Sequence, residues 1–315
     1  MAPSDKERKL LAVCERLRNN DPYLTCLDLG NYGEIEWKDA AEIATALKSN
    51  TRLTSLCLVL HVAILCADGS LPFADFVRAS PSLQTFSIAG GGLTENNHDS
   101  TTLPMSLTHN ISLTKLELLG ITFRRPDVME RILATTPTLR ELEFTESIWG
   151  SISQVAQALR KGLEQNQTLE EINWHSNSET SALPEVLDGL SSHPKLKTLA
   201  LHARLTHESS RALNSFLKSN RTVEAIDSFF TGADGDSWNR AHYTGSWQDM
   251  LERNRSLKTL ILADCRMFHT GPESFASFLQ GVSRNTALKT LCVSRNRIGS
   301  GRAAALADAL RCNGL

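Results

Sequence analysis

The sequence predicts an α/β fold, a curved solenoid with parallel strands on its concave face and helices on its convex face. Three observations lead there. A spacing of apolar residues at offsets 0, 3 and 5 recurs, counted from Leu24, Leu53, Leu83, Leu113, Leu139, Leu169, Leu196, Val223, Leu257 and Leu288. Successive starts lie 29, 30, 30, 26, 30, 27, 27, 34 and 31 residues apart, a period that holds a strand and one further element. That element reads as a helix in three places: Ala40, Ile43, Ala44 and Leu47; Ile152, Val155, Ala156, Leu159 and Leu163; and Ala303, Leu306, Ala307 and Leu310. A strand and helix repeated in one direction return the chain to the same end each time, so neighbouring strands run parallel. Strands pack about 4.8 Å apart and helices roughly 8–10 Å, so the helical side is wider and the stack bends with its strands inside.

The elements follow in order. Residues 1–20 are expected to form a capping helix, with Leu10, Cys14 and Leu17 on one face and Ser4 or Asp5 as the N-cap. Residues 21–315 hold about ten repeats. Each helix is stopped by a breaker: SNTRL, ASPSL, HNISL, TTPTL, QNQTL, SHPKL, SNRTV, RNRSL and RNTAL precede successive strands, with Asn at offset −3 or Pro at offset −2. Asn110, Asn166, Asn220 and Asn254 also begin N-x-S/T sequons, but they share their place with Asn50 and Asn285, which begin none, so they read as turn residues.

The longest period accommodates an insertion near 231–246. Within it Asp234 and Asp236 resemble the start of a calcium loop, yet Gly is missing from the sixth position and Glu from the twelfth, so a surface loop is expected. Its aromatic residues Trp238 and Tyr243 suit a binding element, whereas Trp247 belongs with the next helix and the core. Residues 311–315, RCNGL, repeat the breaker and set Leu315 at offset 0 of a further repeat, so an open, truncated C-terminal end is expected.

This recurring pattern, over about residues 20–315, resembles the leucine-rich repeat family, in particular its ribonuclease-inhibitor-like type with long helix-bearing repeats. The resemblance implies Asn or Cys at offset 8, held in a ladder of backbone hydrogen bonds. Asn177, Cys265 and Asn296 match, while Tyr32, His61, Gly91, Ile121, Ser147, Arg204 and Thr231 depart, so several turns are expected to be irregular. A resemblance to the Ran GTPase-activating type, built from the same repeats, supplies the alternative function.

Composition narrows the function further. The net charge is −2 and the pI near 6.5, so the basic balance of a nucleic-acid-binding domain is missing. The first residues lack the apolar block of a secretory signal, and the longest apolar run, 56–67, is interrupted by His61 and too short to span a membrane. The seven cysteines are scattered without a CxxC pair, which suits a reducing, cytoplasmic setting. No GxxxxGK[ST], GxSxG or HExxH motif is present, so the chain is expected to be non-catalytic, without cofactor or metal.

What remains is a surface. With offsets 3 and 5 turned inward, offsets 2, 4 and 6 face outward on the concave side. Offset 4 carries Glu117, Glu143 and Asp227; offset 6 carries Leu119, His175, His202 and Phe229; and Glu141 and Glu171 stand at offset 2. Carboxylates beside apolar residues suit a protein partner with a basic and partly apolar surface. His175 and His202, at one offset in adjacent repeats, are expected to be neighbours able to respond to acid or to hold a metal with a carboxylate's help, against the plainer reading of a solvated pair.

Overall fold

The computed structural model describes residues 4–33, 35–60, 70–90, 105–120, 126–146, 152–176, 182–203, 207–229, 246–263, 272–296 and 298–313. The chain divides into two compact units, Met1–Ala158 and Leu159–Leu315. The first opens with α1 (Asp5–Arg18), followed by β1 (Cys26–Asp28), α2 (Trp37–Leu47), β2 (Ser55–Leu60), α3 (Ser70–Ala79), β3 (Thr85–Gly90), β4 (Lys115–Leu119), α4 (Pro126–Thr135) and β5 (Glu141–Glu146). The division falls within α5 (Ile152–Gln165). After it come β6 (Glu171–Ser176), α6 (Leu183–Gly189), β7 (Thr198–Ala203), α7 (His207–Ser219), β8 (Ala225–Phe229), α8 (Ser246–Arg253), β9 (Thr259–Ala263), α9 (Pro272–Arg284), β10 (Thr290–Cys292) and α10 (Ser300–Asn313).

Within each unit the strands pair in parallel and in chain order. In the first unit Cys26 stands opposite Ser55, Ser55 opposite Thr85, Thr85 opposite Lys115 and Lys115 opposite Glu141. In the second, Glu171, Thr198, Ala225, Thr259 and Thr290 align in the same way. All of these are offset-2 residues, so the repeat phase read from the sequence is the hydrogen-bonded register.

The inward positions form the core. Leu53, Leu83, Leu113, Leu139 and Leu169 are fully buried at offset 0, as are Leu56, Phe86 and Leu116 at offset 3. Two expectations need correction. Offset 5 of the eighth repeat is the hydroxyl residue Ser228, and it is buried all the same. In α10 the buried residues are Leu306 and Ala309, whereas Ala303 and Ala307 are exposed. That helix covers α9, with the Arg302 guanidinium 5.4 Å from the centre of the Phe275 ring, so its buried stripe is narrower than the apolar spacing suggested.

The N-terminal helix is capped by Ser4. Its hydroxyl accepts from Glu7 N at 3.2 Å, and Glu7 Oε2 accepts from Ser4 N at 2.7 Å, which satisfies two donors that a helix start leaves open. Leu10, Val13, Cys14 and Leu17 supply its buried face. Burial pushes the Cys14 thiol up to about 11.

The residues at offset −3 are the joints between repeats. Asn254 Nδ2 donates at 2.7 Å to Leu217 O in α7, the helix of the preceding repeat, while its Oδ1 accepts from Ser256 N at 3.1 Å and Leu257 N at 2.7 Å. Asn50, Asn110, Asn220 and Asn285 repeat this arrangement, donating to Leu17 O, Val77 O, Leu190 O and Leu251 O. One side chain thus satisfies a carbonyl orphaned by one helix and two amides that open the next strand. The sequon asparagines Asn110, Asn166, Asn220 and Asn254 are between 1% and 3% exposed, which fits turn residues and leaves their amide nitrogens no access for a glycan. Ser80, Thr136 and His193 take the same position in three further repeats, and each is followed by proline, whose fixed φ restrains the turn where asparagine is absent. Asn313 Nδ2 also donates to Val282 O at 2.8 Å and to Asn285 O, the bonding of an offset −3 residue. By that register Leu315, which lies outside the described residues, stands at offset −1 rather than 0.

Candidate interaction surface

Among the described residues, one face of each unit's sheet is buried and the other is left bare. Burial alternates accordingly along β4, β6 and β9, with offsets 3 and 5 buried and offsets 2, 4 and 6 half-buried. This bare face is the one expected to be concave, and the residues singled out on it fall into two groups, one in each unit.

In the first unit, Glu117 and Glu143 stand opposite one another on β4 and β5, and Leu119 stands opposite Thr145. The group is less acidic than the carboxylates alone suggest. Lys115, two residues before Glu117 on the same strand face, places Nζ 2.8 Å from Glu117 Oε1. The hydrogen bond to Glu117, with Glu143 and Glu141 nearby, raises the Lys115 ammonium above its ordinary range. Farther along the row, Asp28 is occupied by its own turn, accepting from Gly30 N at 2.9 Å and Asn31 Nδ2 at 3.0 Å. A Cβ at Gly30 would lie 2.8 Å from Val59 Cγ2, so the Val59 side chain would have to shift to admit one. Burial raises the Cys57 thiol that follows Asp28 in the row.

In the second unit, His175 on β6 stands opposite His202 on β7, as the repeat phase required. Their rings are stacked, with centroids 4.6 Å apart and planes 11° from parallel. His202 in turn stands opposite Phe229, the last residue of β8, whose side chain lies outside the described residues. Asp227 is half-buried between Ala200 and Ile261. On β10, Cys292 donates to Ser294 Oγ at 3.4 Å, and the Ser294 hydrogen bonds lower its thiol below the usual range. Among the described residues, no group of three or more His, Cys, Asp or Glu side chains is placed to hold a metal ion.

Residues 230–245, with Asp234, Asp236, Trp238 and Tyr243, lie outside the described residues, as do Asn177 and Cys265. Trp247 belongs to α8 and to the core: it is 5% exposed and meets Phe278 edge-on at 5.7 Å. Asn296, the described offset-8 asparagine, donates from Nδ2 to Leu262 O of the preceding strand, and also to Val293 O at 3.0 Å. No described helix is long and apolar enough to cross a membrane.

Two features escaped the sequence reading. One is His193, 3% exposed at the joint between β6 and β7. Its Nδ1 accepts from Lys195 N at 3.3 Å and Leu196 N at 3.2 Å, as an asparagine Oδ1 would, and its Nε2 faces Asn166 Oδ1 at 3.3 Å. Those partners fix a neutral ring with its proton on Nε2. Burial lowers His193 to about 4. Its shared place with the asparagines was the available signal. The other is a groove of about 280 Å³ on the helical side, lined by Arg160, Asp188, Phe216 and Ser219. It lies beside α6, whose 7 residues are half the 14 of α5.

No protein-family model matches the chain, and no curated protein matches it in sequence. Solved structures do. The leucine-rich repeat-containing protein LegL7 from Legionella pneumophila is similar over 91% of this chain and 89% of that one, with a TM-score of 0.52 at 15% identity. The tropomodulin C-terminal domain from Caenorhabditis elegans covers 57% of this chain and 90% of its own, with a TM-score of 0.33 at 14% identity. Actin-binding site 2 of leiomodin-1 covers 60% and 91%, with a TM-score of 0.33 at 20% identity. The likeness to LegL7, with the parallel strand and helix order above, shows the fold: this is a leucine-rich-repeat solenoid.

Proposed function

We propose that the chain is a non-catalytic protein-interaction scaffold whose bare sheet face receives a partner with a basic and partly apolar surface. The observation that carries this reading is the composition of that face in register. In the first unit Glu117, Glu141 and Glu143 outnumber Lys115, with Leu119 beside them; in the second, Asp227 lies among Ala200, Ala225 and Ile261. Burial of the apolar residues would give affinity, and the carboxylates would steer a basic partner and quicken its encounter. Phe229 is the residue of the row best suited to anchor a contact, since aromatic side chains dominate interface hot spots.

The test compares what the wild-type chain retains from a cell extract with what three variants retain. Reversing Glu117→Lys and Glu143→Lys together is expected to deplete the partner, and Phe229→Ala to shorten its residence by about thirty-fold, the equivalent of roughly 2 kcal/mol. Lys161→Glu, on the exposed side of α5, should change neither. Retention by the sheet-face variants combined with loss on deleting 231–246 would transfer the binding site to the insertion.

A further inference from the structure

Apolar side chains are left exposed at the strand starts as well as on the sheet face. Among the described residues, the large hydrophobic side chains that stand exposed are Leu11, Tyr23 and Ile111, at 49%, 89% and 75%. Two of these, Tyr23 and Ile111, belong to joints of the first unit, at offsets −1 and −2. Pro81 and Pro137 hold offset −2 in the repeats on either side of Ile111, and both are exposed. The joints thus form a rim along the strand starts, built wholly of described residues, on which Tyr23, Pro81, Ile111 and Pro137 follow one another in chain order.

The hydroxyls of this rim are turned to the chain itself. Thr54 Oγ1 donates to Thr25 O at 3.1 Å, Ser82 Oγ to Leu53 O at 2.9 Å, Ser112 Oγ to Leu83 O at 2.9 Å, Thr114 Oγ1 to Gln84 O at 3.2 Å and Thr138 Oγ1 to Leu113 O at 2.7 Å. Covering the rim therefore strands none of these donors. Its charge has one sign. Offsets −3 to 1 of repeats two to five hold Arg52 and Arg140 and no carboxylate. Asp21, at the joint before, is held by Arg16 at 2.5 Å and by Tyr23 N at 2.9 Å. The same positions in the second unit carry paired charges instead: Lys197 meets Glu170 and Lys258 meets Glu224, each at 2.7 Å. The uncharged apolar stretch is thus particular to the first unit and not a consequence of the repeat.

We propose that the strand-start rim of the first unit, from Tyr23 to Pro137, is a second docking surface, and that its occupant is an acidic amphipathic helix of a partner protein. Strands stand about 4.8 Å apart, so this row of repeats spans roughly 19 Å. A helix rises about 5.4 Å per turn and covers that length in about 13 residues, so apolar residues on one face meet successive repeats turn by turn. An extended chain brings same-face side chains only every ~6.7 Å and falls out of step. Burial of Tyr23 and Ile111 gives affinity, and carboxylates flanking the apolar stripe complement Arg52 and Lys48, which is exposed at the end of α2. The rim is separate from the bare sheet face and opposite to it in charge, so it stands whether or not that face binds.

The experiment uses the full chain and three amphipathic peptides of about 14 residues, which share one leucine stripe and carry glutamate, glutamine or lysine on its flanks, followed by NMR. The glutamate peptide is expected to bind most tightly and to shift the Tyr23 ring and Ile111 methyl signals. Ile111→Ser should weaken it roughly ten-fold without lowering thermal stability, since the side chain it shortens is exposed. Arg52→Gln should reduce its lead over the glutamine peptide. Arg255→Gln, at offset −2 in the second unit, should leave binding unchanged. Equal binding of the three peptides, or shifts confined to residues away from the rim, would overturn the proposal. So would an Ile111→Ser chain with lowered stability and unchanged affinity, which would give the side chain a structural role only. Two other occupants have their own readouts. In the absence of peptide binding, self-association of the chain that Ile111→Ser abolishes in sedimentation would assign the rim to a second copy. Binding to phosphatidylserine vesicles that requires Arg52, again without peptide binding, would assign it to a membrane. Either result would overturn the partner helix.

Discussion

At the scale of single residues, the joints between repeats depend on side chains that serve two neighbours at once. Asn254 connects the end of α7 to the start of β9 through three hydrogen bonds, and it is 1% exposed. Asn254→Ala would leave a helix carbonyl and two amides buried without partners. A loss of about 3 kcal/mol is expected, read as a lower denaturant midpoint. His193 performs the same task with an ionisable ring. Its value is about 4 in the fold against 6.5 when exposed, so the folded chain binds fewer protons between those limits. Stability is therefore complete above about pH 6.5, is lost as pH falls toward 4, and loses nothing further below it. The total is about 2–3 kcal/mol. His193→Asn, which restores the asparagine of the other joints, is expected to remove that slope, as equilibrium unfolding at a series of pH values would show. A variant as acid-sensitive as the wild type across this window would contradict the role given to the ring.

At the scale of elements, helix spacing is set by close approaches that the apolar pattern does not reveal. Gly281 lies in α9 where a Cβ would come 2.9 Å from Trp247 O and 3.0 Å from Gln248 Cα of α8. Gly301, in the first turn of α10, has nothing within 4 Å of the same position. Alanine favours a helix by up to about 1 kcal/mol over glycine. Gly301→Ala is therefore expected to stabilise by a few tenths of a kcal/mol to about 1. Gly281→Ala must push two backbones apart and is expected to destabilise by roughly 1–3 kcal/mol. Thermal unfolding of the two variants should move in opposite directions. The legible part of the fold was the part with a period. Offsets 0, 3 and 5 report which strand face is buried, and they gave the register of β1–β5 and β6–β10 to the residue. Ser228 breaks the apolar pattern without breaking the strand, because its neighbours fix its position. The stripe on α10 was misread because spacing alone does not say how many helices flank it.

At the scale of the whole molecule, the proposal is that the bare sheet face binds a protein. The candidate residues on that face could be named from the sequence because register follows from the repeat phase. What they do there was less legible. The pairing of Lys115 with Glu117 and the stacking of His175 on His202 depend on side-chain conformations that no periodicity encodes. The most direct test is chemical footprinting of carboxylates by carbodiimide on the chain alone and in complex with its isolated partner. Glu117, Glu143 and Asp227 should lose reactivity in the complex, while Glu164 and Asp308 on the helices, with side chains 47% and 69% exposed, should react as before. Protection of Glu164 or Asp308 with the three sheet-face carboxylates still reactive would contradict the account.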